Sequence, residues 1–199
     1  MSTYTESIEK LIERLIKLPG IGRRSAERIV GYILNASSQE IKSLSEAICN
    51  VKENVRFCRI CNNLSEQELC RICQDNRRKK DILCIVEKPS DVSAIEKTGN
   101  FGGVYHVLLG SISPLEGMGP TDLKINGLIN RIKQENIKEV IIATDFDTEG
   151  ETTALYLTGL LRPQGVKLTR IGVGIPMGSN LEYADSPTLS MAFASRREI

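Results

Sequence analysis

The chain contains a single histidine, His106, among its 199 residues. No second imidazole stands ready to share acid–base work with it, and its strand-like setting, Val104-Tyr105-His106-Val107-Leu108, predicts a satisfied structural role. Long apolar runs are missing too. No stretch approaches the roughly 18 residues of a membrane-spanning helix, and the first residues, MSTYTESIEK, lack the apolar core of a secretory signal, so a cytoplasmic chain outside the membrane is expected. Neither glycine-rich stretch, Gly99–Gly103 or Gly110–Pro120, matches the phosphate loop GxxxxGK[ST], which excludes an ATPase of that type. Internal repeats and low-complexity segments are likewise absent. Nor is there an excess of either charge, since 26 Lys+Arg face 25 Asp+Glu for a net charge of +1.

The neutral total conceals an asymmetry. Residues 1–80 carry 15 Lys+Arg against 10 Asp+Glu, a net of +5, and residues 81–199 carry 11 against 15, a net of −4. A basic first part suits a polyanion and an acidic second part suits metal ions or basic partners, although ordinary solvated charge gives the same totals. With 41% hydrophobic and 26% charged residues, the chain has the composition of a soluble protein. Its length allows one large domain or two to three small ones.

Four of the six cysteines form two knuckles, Cys58-x2-Cys61 and Cys70-x2-Cys73, eight residues apart. Each CxxC turn presents two thiolates from one tight loop, and two such turns supply the tetrahedral sulfur set of a structural Zn²⁺ site. A segment this short has too little core to fold alone, and the metal provides the missing stabilisation. The other two, Cys49 and Cys84, stand in apolar contexts and are expected in the core.

Hydrophobic spacing predicts helices over 5–18, from Ser25 to about Leu34, and from Gln39 to about Val55, so residues 1–55 read as all-helical. Between the first two lies Leu18-Pro19-Gly20-Ile21-Gly22, a GxG turn typical of a helix-hairpin-helix. Glycines admit close backbone approach, and the free N–H groups opening the second helix receive an anion. Arg24 and Arg28, four residues apart, add charge on one helical face for a DNA backbone. A helical corner that merely needs glycine is the plainer alternative.

After Arg77-Arg78-Lys79-Lys80 the pattern changes. Short β-branched runs predict strands at Ile82–Glu87, Val104–Leu109, Glu139–Thr144 and Lys167–Val173, alternating with helices at Ser90–Thr98, Asp122–Glu135 and Glu149–Leu161. Alternation of this kind makes βαβ crossovers and a mostly parallel sheet. A short helix is expected over Thr188–Arg197. Strand-end Glu87 and the strand-end segment Asp145-Phe146-Asp147-Thr148-Glu149-Gly150-Glu151 would meet at the carboxyl edge of such a sheet, where hard carboxylate oxygens select Mg²⁺.

IVEKPSD and ATDFDTEGETTALYL resemble the Toprim domain. Together with LPGIGRRSAERI, CRICNNLSEQELCRIC, VEKPSDVSAIEKTGNFGGVYHVLLGSISPLEGMGP and LEYADSPTL, they make nearly the whole chain similar to the RecR family of bacterial recombination proteins. The expected architecture is α/β with an N-terminal all-helical segment. It comprises a helix-hairpin-helix region at 1–55, a four-cysteine zinc finger at 56–76, a Toprim domain with a mostly parallel sheet flanked by helices at 80–174, and a C-terminal tail at 175–199 packed on the Toprim domain or a neighbouring subunit. The resemblance implies a DNA-binding recombination mediator. Such a protein acts with RecO, and with RecF where present, to load RecA onto single-stranded DNA coated by single-strand-binding protein, as a homo-dimer or ring-like homo-tetramer without enzymatic activity of its own. It implies DNA contacts at Gly20, Gly22, Arg23, Arg24 and Arg28, zinc at Cys58, Cys61, Cys70 and Cys73, and partner contacts at Glu149 and Glu151.

One departure stands out. RecR sequences commonly replace the first Toprim aspartate, whereas Asp145 and Asp147 both stand here. The rival expectation is therefore a Mg²⁺-dependent nuclease using Glu87, Asp145 and Asp147. Topoisomerases of the same domain class add a nucleophilic tyrosine, and none of the five tyrosines here lies in a recognisable nucleophile context.

Overall fold

A computed structural model describes residues 4–172 and 174–196. These form two compact units, Met1–Val55 and Arg56–Ile199.

The first unit is built of α1 (Glu6–Ile16), α2 (Arg23–Asn35) and α3 (Ser38–Asn54). Thr5 occupies the cap position of α1, yet its side chain makes no capping bond. Apolar residues at helical spacing let α1 and α2 bury Ile12, Ala26 and Val30 together, with Ile8, Leu11, Leu15 and Ile21 packed around them. Gly20, at φ +79°, supplies the left-handed residue that turns the chain between these helices. Ser37 caps α3 through the Glu40 N–H at 3.2 Å. None of the residues of α3 is buried, and Leu44, Ile48 and Val51 lie exposed along it. Cys49 is exposed as well, contrary to its expected core position, because the apolar flank of α3 has no cover among the described residues of its own unit.

In the second unit β1 (Arg56–Phe57) and β2 (Leu64–Ser65) pair antiparallel, Arg56 opposite Ser65 and Phe57 opposite Leu64. The one-turn helix α4 (Arg71–Gln74) follows. Then come β3 (Ile82–Val86), α5 (Pro89–Glu96), β4 (Val104–Val107), α6 (Leu128–Gln134), β5 (Glu139–Ala143), α7 (Thr148–Leu161), β6 (Lys167–Arg170) and α8 (Ser186–Ala194). The four longer strands form a parallel sheet in the order β4-β3-β5-β6. Central β3 is apolar on both faces, as a doubly covered strand requires. Leu83 and Ile85 join Val140, Ile142, Leu128, Ile132, Leu157 and Leu161 in one core cluster. Cys84 and Val86 join Val92, Tyr105 and Val107 in another, so Cys84 is the core residue expected.

Most elements fall within one or two residues of the sequence reading, with β4 ending at Val107 rather than Leu109 and α2 beginning at Arg23 rather than Ser25, and three further boundaries differ. The helix expected from Asp122 begins only at Leu128, since residues 122–127 run as turns. Leu123 and Ile125 are buried from those turns, and the Lys124 N–H donates to the Leu108 carbonyl at 2.9 Å. Strand β6 stops at Arg170 rather than Val173, which lies outside the described residues. Helix α8 starts two residues earlier than expected, where Asp185 caps it through the Thr188 N–H at 2.7 Å, and Arg197 of the expected helix also lies outside the described residues.

His106 is buried on β4. Its Nε2–H donates to the Lys124 carbonyl at 2.5 Å, while Nδ1 is buried without a partner, so the ring is satisfied on one side only. Burial pushes its pKa down to about 4, which keeps the imidazole neutral. Among the described residues no helix is long and apolar enough to cross a membrane.

Candidate functional site

The four cysteines converge. Their Sγ atoms all lie within 4.8 Å of one another. Cys58, Cys61 and Cys70 are buried, and Cys73 is half-buried. Two tight turns present them. Asn62 adopts a left-handed conformation at φ 59°, its N–H donating to the Cys58 carbonyl at 2.9 Å, and the Cys70 N–H points at Cys58 Sγ from 3.3 Å. Hydrogen bonding to the neighbouring sulfurs, followed by burial, pushes the Cys73 thiol up, and the same contact with Cys70 pushes Cys61 up. Four sulfurs this close resist ionising together without a cation among them, and an all-thiolate donor set suits Zn²⁺. The residues fit that ion. The knuckle is clipped to the outer strand of the large sheet, since Val107 N–H donates to the Cys61 carbonyl at 2.8 Å and Asn62 Nδ2 donates to the Val107 carbonyl at 3.1 Å.

The acidic residues reach one sheet edge, near enough that the charges of Asp145 and Asp147 act on Glu87, but their oxygens do not converge as the cysteine sulfurs do. Glu87, 2% exposed, follows β3 and accepts the Asp145 N–H at 3.0 Å; burial holds its carboxyl above the usual range. Asp147 is the cap of α7, accepting the Gly150 N–H at 2.8 Å. Asp145 faces Lys88 Nζ at 3.8 Å. Each carboxylate thus has its own task, and among the described residues the cysteine quartet is the group whose donor atoms meet at metal-binding distance. Gly150 makes the loop feasible: a Cβ there would lie 2.1 Å from the Asp145 carbonyl oxygen. Glu149 accepts the Ser113 hydroxyl at 2.5 Å, and Glu151 is 2.5 Å from Arg170 Nη1.

The GxG turn delivers its arginines unequally. Gly22 stands at the N-cap of α2. Arg23 donates to Glu9 at 3.1 Å and to Glu27 at 3.2 Å, and these carboxylates, Glu9 foremost, push its pKa up. Arg24 and Arg28 are exposed, and among the described residues neither has a carboxylate at ion-pair distance.

Four family models cover the chain in succession. Residues 8–52 match the RecR helix-hairpin-helix, residues 55–75 the RecR zinc finger domain of four cysteines, residues 81–172 the Toprim domain, and residues 174–197 the RecR C-terminal region. The recombination protein RecR of Pelotomaculum thermopropionicum is 49% identical over 199 residues, all of both chains. That of Bifidobacterium longum is 50% identical over 195 residues, and that of Acidothermus cellulolyticus 51% over 196, each match covering 98% of both chains. The chain belongs to the RecR family.

Membership makes the quartet a four-cysteine zinc finger and supports a role in recombinational repair with DNA binding. The sequence does not single out Lys88, Ser113 and Arg170, which engage Asp145, Glu149 and Glu151. Ser113 and Arg170 lie 36 and 19 residues from their partners, so no local motif announces them. Gly150 is marked in the sequence only by its place between Glu149 and Glu151.

Proposed function

We propose that this RecR-family chain is a non-enzymatic, sequence-independent DNA-binding mediator in the cytoplasm. It acts with RecO, and with RecF where that protein exists, to load RecA onto single-stranded DNA coated by single-strand-binding protein. The observation that carries this reading is the pair of exposed arginines, Arg24 and Arg28, at the start of α2 beside Gly20 and Gly22. Two cations without local carboxylate partners beside free helix N–H groups favour phosphate and carry no base code. Arg23 serves mainly to brace α1 against α2.

Self-association into a dimer or tetramer supplies what a single hairpin lacks. Several weak backbone grips joined in one assembly raise the effective concentration at the strand. The exposed Leu44, Ile48 and Val51 on α3, and Leu181, Tyr183 and Phe193 in the tail, are apolar surface of the kind such an assembly covers. Glu149, Glu151 and the turn that leads into α7 before them form the face offered to RecO. The nuclease alternative draws on the intact Asp145 and Asp147, but the separate engagements of the three carboxylates give it less support.

Arg24→Ala/Arg28→Ala is expected to weaken binding to single-stranded DNA about tenfold or more near 0.1 M salt, and to lower the salt slope by about 1.4, the share of two phosphate contacts. Fluorescence anisotropy across a salt series measures both. Unchanged affinity in the double variant would overturn the assignment. Arg23→Ala is expected to have the smaller effect, because its charge is already met by Glu9 and Glu27.

A further inference from the structure

The residues expected to contact a partner are not free to choose their orientation. Glu151 is exposed, yet its Oε2 sits 2.5 Å from Arg170 Nη1. Arg170 is the last residue of β6, the outer strand opposite β4, and it engages the acidic loop in three directions at once. Besides Glu151, its Nη2 approaches the Asp145 carbonyl at 3.4 Å, and its guanidinium lies over the Phe146 ring at 4.7 Å. Phe146 is nearly half exposed at 47%, an aromatic ring held at the surface by a cation rather than by burial. The Nε of Arg170 is buried and has no partner, so the side chain accepts an unsatisfied donor in order to sit there.

We propose that Arg170 is a positioning residue for protein docking on the segment Asp145–Glu151, the turn that enters α7 and the first turn of that helix, acting through Glu151, Phe146 and the Asp145 carbonyl. The inference rests on the reading that this face receives RecO. A loop fixed before the encounter does not lose its conformational freedom on binding, and that saving appears as affinity. The planar fork of arginine is what the three contacts need. A lysine at 170 keeps the charge for Glu151 but has neither a second donor in the same plane nor a face to stack on Phe146.

The test compares the full-length protein with Arg170→Ala, Arg170→Lys and Lys167→Ala. The last removes a cation from the same strand, where Lys167 pairs with Glu139 at 3.3 Å, and leaves the loop alone. Amide hydrogen exchange of residues 146–151 is read beside RecO affinity and single-stranded DNA affinity. Arg170→Ala is expected to speed exchange in the loop about tenfold and to weaken RecO binding to a similar degree, with DNA affinity unchanged. Arg170→Lys should fall between, and Lys167→Ala should match the unsubstituted protein. Unchanged exchange in Arg170→Ala would overturn the positioning role. Faster exchange with undiminished RecO affinity would overturn its link to docking. If the unsubstituted protein itself failed to bind RecO, the docking reading would fall and the proposal with it, an outcome distinguishable because it precedes any substitution.

Discussion

Stripping the zinc finger of its metal, by chelation or by Cys61→Ser, is expected to unfold the knuckle and to make the protein self-associate through its sheet. The knuckle has little else to hold it. Its hairpin is two residue pairs long, and its core is Cys58, Cys61 and Cys70 with partly buried Ile60, Leu69 and Ile72. A structural zinc contributes on the order of 10 kcal/mol to such a module, so no plausible repacking offsets its loss. The damage reaches the large sheet because both backbone groups of Val107 are paired with the knuckle, at Cys61 and Asn62. Once the knuckle opens, outer strand β4 presents unpaired backbone beside apolar side chains, a template for pairing with other chains. Thermal melting with metal analysis and light scattering checks this. The expected result is one zinc per chain, a large drop in the transition on chelation, and aggregation that follows zinc loss. Melting and solution size indifferent to chelation would contradict it.

Gly150→Ala is expected to be the most destabilising single methyl addition in the chain's second unit, at about 3 kcal/mol. Its Cβ would meet the carbonyl oxygen, carbonyl carbon and amide nitrogen of Asp145 at 2.1, 2.7 and 2.9 Å. These are backbone atoms and cannot swing aside as a flexible side chain would. They are also pinned, because the Asp145 N–H is held by Glu87 and the Thr144 hydroxyl donates to the Gly150 carbonyl at 2.9 Å. Relief would therefore pull the strand end away from α7 and release the Asp147 cap. Gly159→Ala in the same helix is the control, since no heavy atom lies within 4 Å of its added Cβ; helix propensity predicts a gain of up to about 1 kcal/mol there. Urea denaturation of the two variants gives the comparison, and equal midpoints would contradict the steric argument.

The sequence disclosed the sheet well because parallel strands buried on both faces leave continuous β-branched runs, as in Ile82–Val86 and Glu139–Ala143. It disclosed the metal site because the ligands come as two local pairs. The helix expected from Asp122 starts late because Ile125 stands three and four residues before Leu128 and Ile129, a spacing that suits a helix, while Gly127, at φ +87°, starts the helix only after it. Cys49 misled for a different reason. An apolar flank on α3 implies cover, but periodicity does not say whether the cover comes from the same unit. In the acidic loop the residue types were legible and their engagements were not. Whether Glu87, Asp145 and Asp147 share a cation or take separate partners depends on Lys88 and on two backbone N–H groups, which no spacing rule reports.

That distinction decides between mediator and nuclease, and one measurement addresses it. The purified protein is incubated with supercoiled plasmid and a labelled gapped duplex, in Mg²⁺ and in EDTA, beside Asp147→Asn. Asparagine keeps the helix cap and removes the charge, so the variant tests chemistry rather than folding. A mediator retards both DNAs in every condition and cuts neither. Mg²⁺-dependent strand cleavage that disappears in Asp147→Asn would contradict it and make the acidic loop a catalytic site.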